Sequence, residues 1–262
     1  MNSAATNHII TLNLWQFALI YLLLIVILII MKKSRIDQTK LLVVASIRMT
    51  VQLVIAGLVL TYILKNPSPW FTVAYLAVMT AFAIYTALSR NKGLNRRFQV
   101  IVGASLAATG LIIVCFFIIV VVGVNLFNAR YTIPISGMII GNAMTGVSLG
   151  LRTFTENTRA QRARIDTLIN LGVTPPKILI PFVNQALETA LLPTLNSMIG
   201  MGIISLPGMM TGQILSGTLP MTAILYQIAI LIAISAVTCL AVFCSLFFGY
   251  RTLYNKRAQM MF

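Results

Sequence analysis

The sequence predicts an all-α, polytopic membrane helix bundle, and three observations predict it. The 262 residues are 59% hydrophobic and only 9% charged, whereas an average soluble domain carries about 25% charged residues. Several apolar stretches reach the length of about 20 residues needed to cross roughly 30 Å of hydrocarbon. The basic residues that give the formal charge of +15 gather at the ends of these stretches. They read as membrane flanks, and a nucleic-acid role is set aside.

The first span covers residues 12–31 and ends at Lys32-Lys33-Ser34-Arg35. Only His8 titrates among the side chains of residues 1–11, so there is no basic region before the span, which reads as a retained helix and not a cleaved signal. The second span, 41–64, stops at Lys65-Asn66-Pro67-Ser68-Pro69, a proline-marked turn. The third, 70–88, ends in the basic stretch 89–97, and the fourth runs over 98–124. The fifth, 133–151, carries Gly137, Gly141, Gly146 and Gly150 as two small-xxx-small pairs, which let helix backbones approach closely.

The chain then turns polar over 152–177, and Thr153 to Glu156 has the spacing of a capping box opening a new helix. The sixth span is expected from about Ala186 to Ser205. The proline- and glycine-bearing segment 206–220 after it is either broken or re-entrant, and would then need shielding by protein. The seventh covers 221–248, before a tail with Arg251, Lys256 and Arg257. Of the 19 Lys and Arg, 16 fall after spans one, three, five and seven. The amino terminus is therefore expected outside and the carboxyl terminus in the cytosol.

Catalytic motifs are missing from the sequence. His8 is the sole histidine, no G-x-x-x-x-G-K-[ST] loop occurs, and only four residues are acidic: Asp37, Glu156, Asp166 and Glu188. Zinc hydrolysis, a Ser-His dyad and ATP binding are all excluded on those grounds. Glu188 is left alone at the inner end of the expected sixth span, and no metal-ligand set can be assigned. Cys115, Cys239 and Cys244 lie in apolar stretches without C-x-x-C spacing and read as packing side chains. Met209 and Met210 carry thioethers suited to Cu(I), with apolar packing the simpler account.

Polar side chains inside spans are the candidates for a translocation path: Arg48 and Gln52 in the second span, Asn142 in the fifth and Asn196 in the sixth. An intramembrane arginine normally faces the bundle interior or a water-filled cavity, although an ion pair or snorkelling to the interface also accounts for Arg48. Asn142, Asn196 and Gln227 could equally bond across helices as packing glue. The stretch Leu171-Gly172-Val173-Thr174-Pro175-Pro176 reads as a helix stop followed by a helix start, a corner between two helices.

Three segments carry a family resemblance: Ile133-Pro134-Ile135-Ser136-Gly137-Met138-Ile139-Ile140-Gly141-Asn142-Ala143-Met144, then Leu171-Gly172-Val173-Thr174-Pro175, then Ser205-Leu206-Pro207-Gly208-Met209-Met210-Thr211-Gly212. The chain resembles the permease subunit of Fet-type iron-export ABC transporters and the plant aluminium-sensitivity permeases. The resemblance implies one permease domain over 1–262 in the cytoplasmic membrane, paired with a second copy and with two copies of a separate subunit that holds ATP and Mg. It also implies that residues 152–180 couple to that subunit through Asp166, Leu171, Gly172, Val173, Thr174 and Pro175, with Asp166 and Gly172 matching an otherwise degenerate E-A-A-x-x-x-G pattern. A stand-alone secondary transporter or channel, and a non-transporting scaffold, are the competing expectations; the first calls for paired discontinuous helices in two repeats, and no convincing internal repeat is found.

Overall fold

The computed structural model describes residues 13–91 and 93–254; His8, Lys256 and Arg257 lie outside the described residues. These fall into two compact units, one up to Asn66 together with Leu215–Thr218, the other Pro67–Ile214 with the residues from Leu219 onward. The described residues form helices and no β-strand. Seven helices are long and apolar enough to cross a membrane.

The first unit holds α1 (Leu14–Lys33) and α2 (Thr39–Lys65). Both are predominantly apolar, α2 carrying Arg48 and Gln52 as exceptions, and neither buries a stripe of side chains within the chain, the pattern of helices solvated by lipid. Tyr21 and Thr50 share a hydroxyl–hydroxyl hydrogen bond of 2.6 Å, and Thr50 also donates to the Ser46 carbonyl. A pair of polar tips is thus satisfied between two otherwise greasy helices.

The second unit is built around α5 (Ala129–Ala160), which packs against α3 (Pro69–Ser89), α4 (Arg96–Phe116), α7 (Pro175–Gly200) and α9 (Pro220–Gly249). Between them, Val102 and Leu106 of α4, Ile139, Ala143 and Val147 of α5, Leu179 and Ala186 of α7, and Val237 and Ala241 of α9 are buried in one core. Small residues set the closeness of these helices. A Cβ added at Gly150 would stand 2.8 Å from a Val242 methyl and 3.5 Å from Ala190 Cβ, and one at Gly146 would collide with the Thr238 methyl. The α4 helix winds into a π-helical segment over Phe117–Val122 before the short connection to α5.

Two elements differ from the sequence expectation. No helix begins at Thr153: α5 runs unbroken through Ala160. A capping box satisfies amides that lack an upstream carbonyl, but here the preceding turns supply those carbonyls. Glu156 instead pairs with Arg152, 2.8 Å away and one turn earlier. At 32 residues α5 is about 48 Å long, longer than the hydrocarbon layer, and its polar end continues beyond it.

The sixth span starts at Pro175, eleven residues before the expected Ala186, and ends at Gly200. Pro175 and Pro176 occupy its first turn, where a missing N–H costs nothing and the fixed φ favours the helix. Pro181 and Pro193 are carried inside the helix without ending it. The segment after it makes a turn through Gly202 and then the eight-residue α8 (Gly208–Leu215).

Candidate functional site

The polar candidates of the spans stand on outward faces. On α5 the side opposite the glycine contacts is exposed at Pro134, Asn142, Thr145, Arg152 and Glu156, whose separations lie near one or two helical turns, so they share one stripe. Asn142 donates its amide to the Met138 carbonyl at 2.8 Å, and Thr145 donates to the Gly141 carbonyl at 3.0 Å. Each folds back onto its own helix and bonds no neighbouring helix. Gly141 has nothing within 4 Å of where a Cβ would be, whereas a Cβ added at Gly137 would stand 3.1 Å from the Met79 methyl. Of the four glycines, three are used for packing inside the chain and Gly141 opens onto the outward stripe.

On α7 the buried side is Ile178, Leu179, Phe182, Val183, Ala186 and Ala190. The exposed side carries Asn184, Gln185, Glu188 and, toward the far end, Asn196. The shift in the start of α7 changes the meaning of Glu188. It lies thirteen residues after Pro175 and twelve before Gly200, at the midpoint of a spanning helix and not at its inner end. Its carboxylate has no ion pair or hydrogen bond among the described residues. A carboxylate at mid-membrane is too costly to leave in lipid and belongs against a protein or water-filled surface. The sequence reading placed Glu188 near the inner end of a span expected from about Ala186; the helix that begins at Pro175 centres it.

Arg48 and Gln52 are exposed and lie one turn apart on α2, in the first unit. Asn142 and Asn196 belong to the second unit, on different helices.

The corner between α6 (Arg162–Asn170) and α7 has a defined geometry. The Val173 amide bonds to the Leu168 carbonyl at 3.0 Å, and the Gly172 amide to the Ile169 carbonyl at 2.9 Å. These are the two bonds of a Schellman motif, with Gly172 at the left-handed position, φ +83°. Thr174 is extended and sits before Pro175, which is buried and begins α7. Leu171 projects from the corner with 74% of its surface exposed. Asp166 is exposed on α6, 3.9 Å from Arg162.

Toward the other end of α7, a cavity of about 480 Å³ is lined by Met198, Met201, Leu206, Met210, Gln227 and neighbouring apolar side chains. Gln227 donates to the Met201 sulfur at 3.8 Å, and its carbonyl oxygen is buried without a partner. Met210 is a wall of this cavity. Among the described residues no group of His, Cys, Asp or Glu is arranged to hold a metal ion.

Seven helices long and apolar enough to span, a polar corner and polar stripes on α5 and α7 define a multi-pass helical membrane protein. The model of the family described as "Uncharacterised protein family (UPF0014)" matches residues 14–254, and the chain belongs to that family. It is 33% identical over 227 residues to the UPF0014 membrane protein YjkA of Bacillus subtilis, covering 86% of this chain and 90% of that one. It is 29% identical over 251 residues, 94% of each chain, to the probable iron export permease protein FetB of Escherichia coli. Over 185 residues, 70% of this chain and 66% of the other, it is 37% identical to the protein ALUMINUM SENSITIVE 3 of Arabidopsis thaliana. No solved structure matches the chain.

Proposed function

We propose that this chain is the membrane-spanning subunit of an ABC-type exporter, working as a homodimer with two copies of a separate ATP-binding subunit that carries ATP and Mg. The corner is the observation that carries the reading. A rigid turn joins α6 to a spanning helix and presents Leu171, an exposed apolar side chain, amid polar and basic neighbours. Such a knob is what a groove on a soluble motor would bury, and the chain itself has no phosphate-binding loop. The bias of basic residues supports a cytoplasmic position for this corner.

In this reading ATP-driven closure of the motor subunits pushes the corner. The Schellman turn and buried Pro175 transmit the push to α7, and the close packing of α7 on α5 through Gly150 carries it to the Asn142 stripe. The outward stripes of α5 and α7, with Asn142, Thr145 and Glu188, line the path once a second copy closes over them. Asn196 borders its far end, and Arg48 and Gln52 on α2 are the polar candidates of the first unit. Oxygen donors of this kind suit hard or borderline cations, in keeping with the iron in the name of the FetB relative. The cargo is accordingly a metal ion or its chelate.

The test is Leu171→Asp in the chain co-expressed with its ATP-binding partner. Leu171 is exposed, so the variant should fold and insert as the parent does. Cargo-stimulated ATP hydrolysis and co-purification of the partner should both be lost. Undiminished stimulation in a correctly inserted variant would remove the corner from the coupling role.

A further inference from the structure

The same corner has a second face that the coupling role does not use. Residues 152–177 contain five basic and two acidic side chains, and the two acids are taken: Glu156 by Arg152 and Asp166 by Arg162, each one turn away. Arg164 and Lys177 have no ion pair among the described residues. Both line one cavity of about 290 Å³ between α6 and α7, with Gln161 and Gln185 at its edges and Ile165, Leu168, Ile178, Pro181 and Phe182 as its apolar wall. Gln161 accepts a hydrogen bond from Arg164 at 3.2 Å, which steadies the guanidinium at the rim.

Position along α7 says where this cavity lies. Lys177 is the third residue of a spanning helix, the level at which a bilayer presents its phosphates. The site therefore combines two unneutralised cations, an apolar wall continuing down the spanning helix, and a place at the membrane–water boundary. We infer that it binds the phosphate of an anionic phospholipid, Arg164 by paired N–H donors and Lys177 as a point charge. A volume at the low end of small-molecule sites admits the phosphate and glycerol, while the acyl chains leave past the exposed Pro181 into the bilayer. Basic pockets between spanning helices recognise lipid headgroups by this chemistry.

The inference rests on the membrane placement and not on the identity of the motor. Helical spacing puts Gln161, Arg164, Ile165 and Leu168 on one side of α6 and Arg162, Asp166 and Asn170 on the other, so the lipid face and the coupling face can fail separately.

The experiment uses the full chain in nanodiscs of phosphatidylcholine with or without phosphatidylglycerol, reading retained lipid by native mass spectrometry and the midpoint of thermal unfolding. Phosphatidylglycerol should be retained and raise the midpoint. Arg164→Gln and Lys177→Gln should each weaken retention about fivefold, the equivalent of about 1 kcal/mol per cation at a membrane surface. Arg159→Gln, outside the cavity, should leave it unchanged, as should Leu171→Asp. Equal retention in the Arg164→Gln/Lys177→Gln double variant would overturn the assignment. An equal midpoint shift from inorganic phosphate without phosphatidylglycerol would overturn the lipid and leave a soluble-anion site.

Discussion

The two sides of α5 carry the same residue type to opposite ends. Gly146 and Gly150 lie against α9 and α7 so closely that no side chain fits, while Gly141, one turn from Gly137 on the same helix, faces open space beside Asn142 and Thr145. The first pair holds the second unit together. The other side is finished as a surface, with polar groups returned to their own carbonyls. A helix can thus be locked on one side and left free on the other, which is what a moving wall of a transport path needs.

Glu188→Gln should break the contrast most completely. It removes the charge from the middle of the outward face of α7 while touching no partner within the chain, so the proposal expects metal efflux from reconstituted vesicles to be abolished with thermal stability unchanged. Efflux equal to the parent would take Glu188 off the path.

Gly150→Leu probes the locked side. The new side chain meets Val242 and Ala190 at once, and overpacking of this kind typically costs about 1–3 kcal/mol. A lowered midpoint in detergent is expected, whereas Gly141→Leu should leave the midpoint of the chain unchanged and lower efflux. Equal destabilisation by the two would erase the distinction between the sides.

Gly172→Ala sharpens the corner. Nothing crowds the added Cβ, so the cost is that of a left-handed backbone, about 1 kcal/mol, read as a small drop in unfolding midpoint. The smallest effect is expected at Gln227→Leu in the apolar cavity. Exchanging a buried, half-satisfied amide for an apolar group of similar size is near neutral or stabilising, so the midpoint should hold or rise slightly. A clear loss of stability would show that the weak contact to Met201 matters more than its 3.8 Å length suggests.

Much of the architecture was legible because lipid imposes a simple requirement, a run of apolar residues for every crossing, and all seven runs are helices. The corner was equally readable, since glycine after Leu171 and proline after Thr174 are stop and start signals whose physics is local. The extent of the sixth span was harder: Thr174 and Pro175 signal a helix start, but Pro181, Asn184 and Gln185 interrupt the apolar run before Ala186. Thr153 and Glu156 misled for the complementary reason: a local pattern for opening a helix also occurs where the helix is already running.

The candidate site was only half legible. Composition picked out Asn142 and Asn196 as polar residues in spans, yet the direction each faces depends on which neighbours α5 and α7 pack against. Glu188 acquired its place only when the helix around it was centred.

The sequence alone determined a helical membrane protein, its seven crossings and the presence of a corner, because hydropathy and turn chemistry act over a few residues. Tertiary structure alone decided which glycines are filled by neighbours, which polar side chains look outward, and that Arg164 and Lys177 share a cavity. Those outcomes depend on contacts between helices far apart along the chain or folded back across a turn, and no local pattern encodes them.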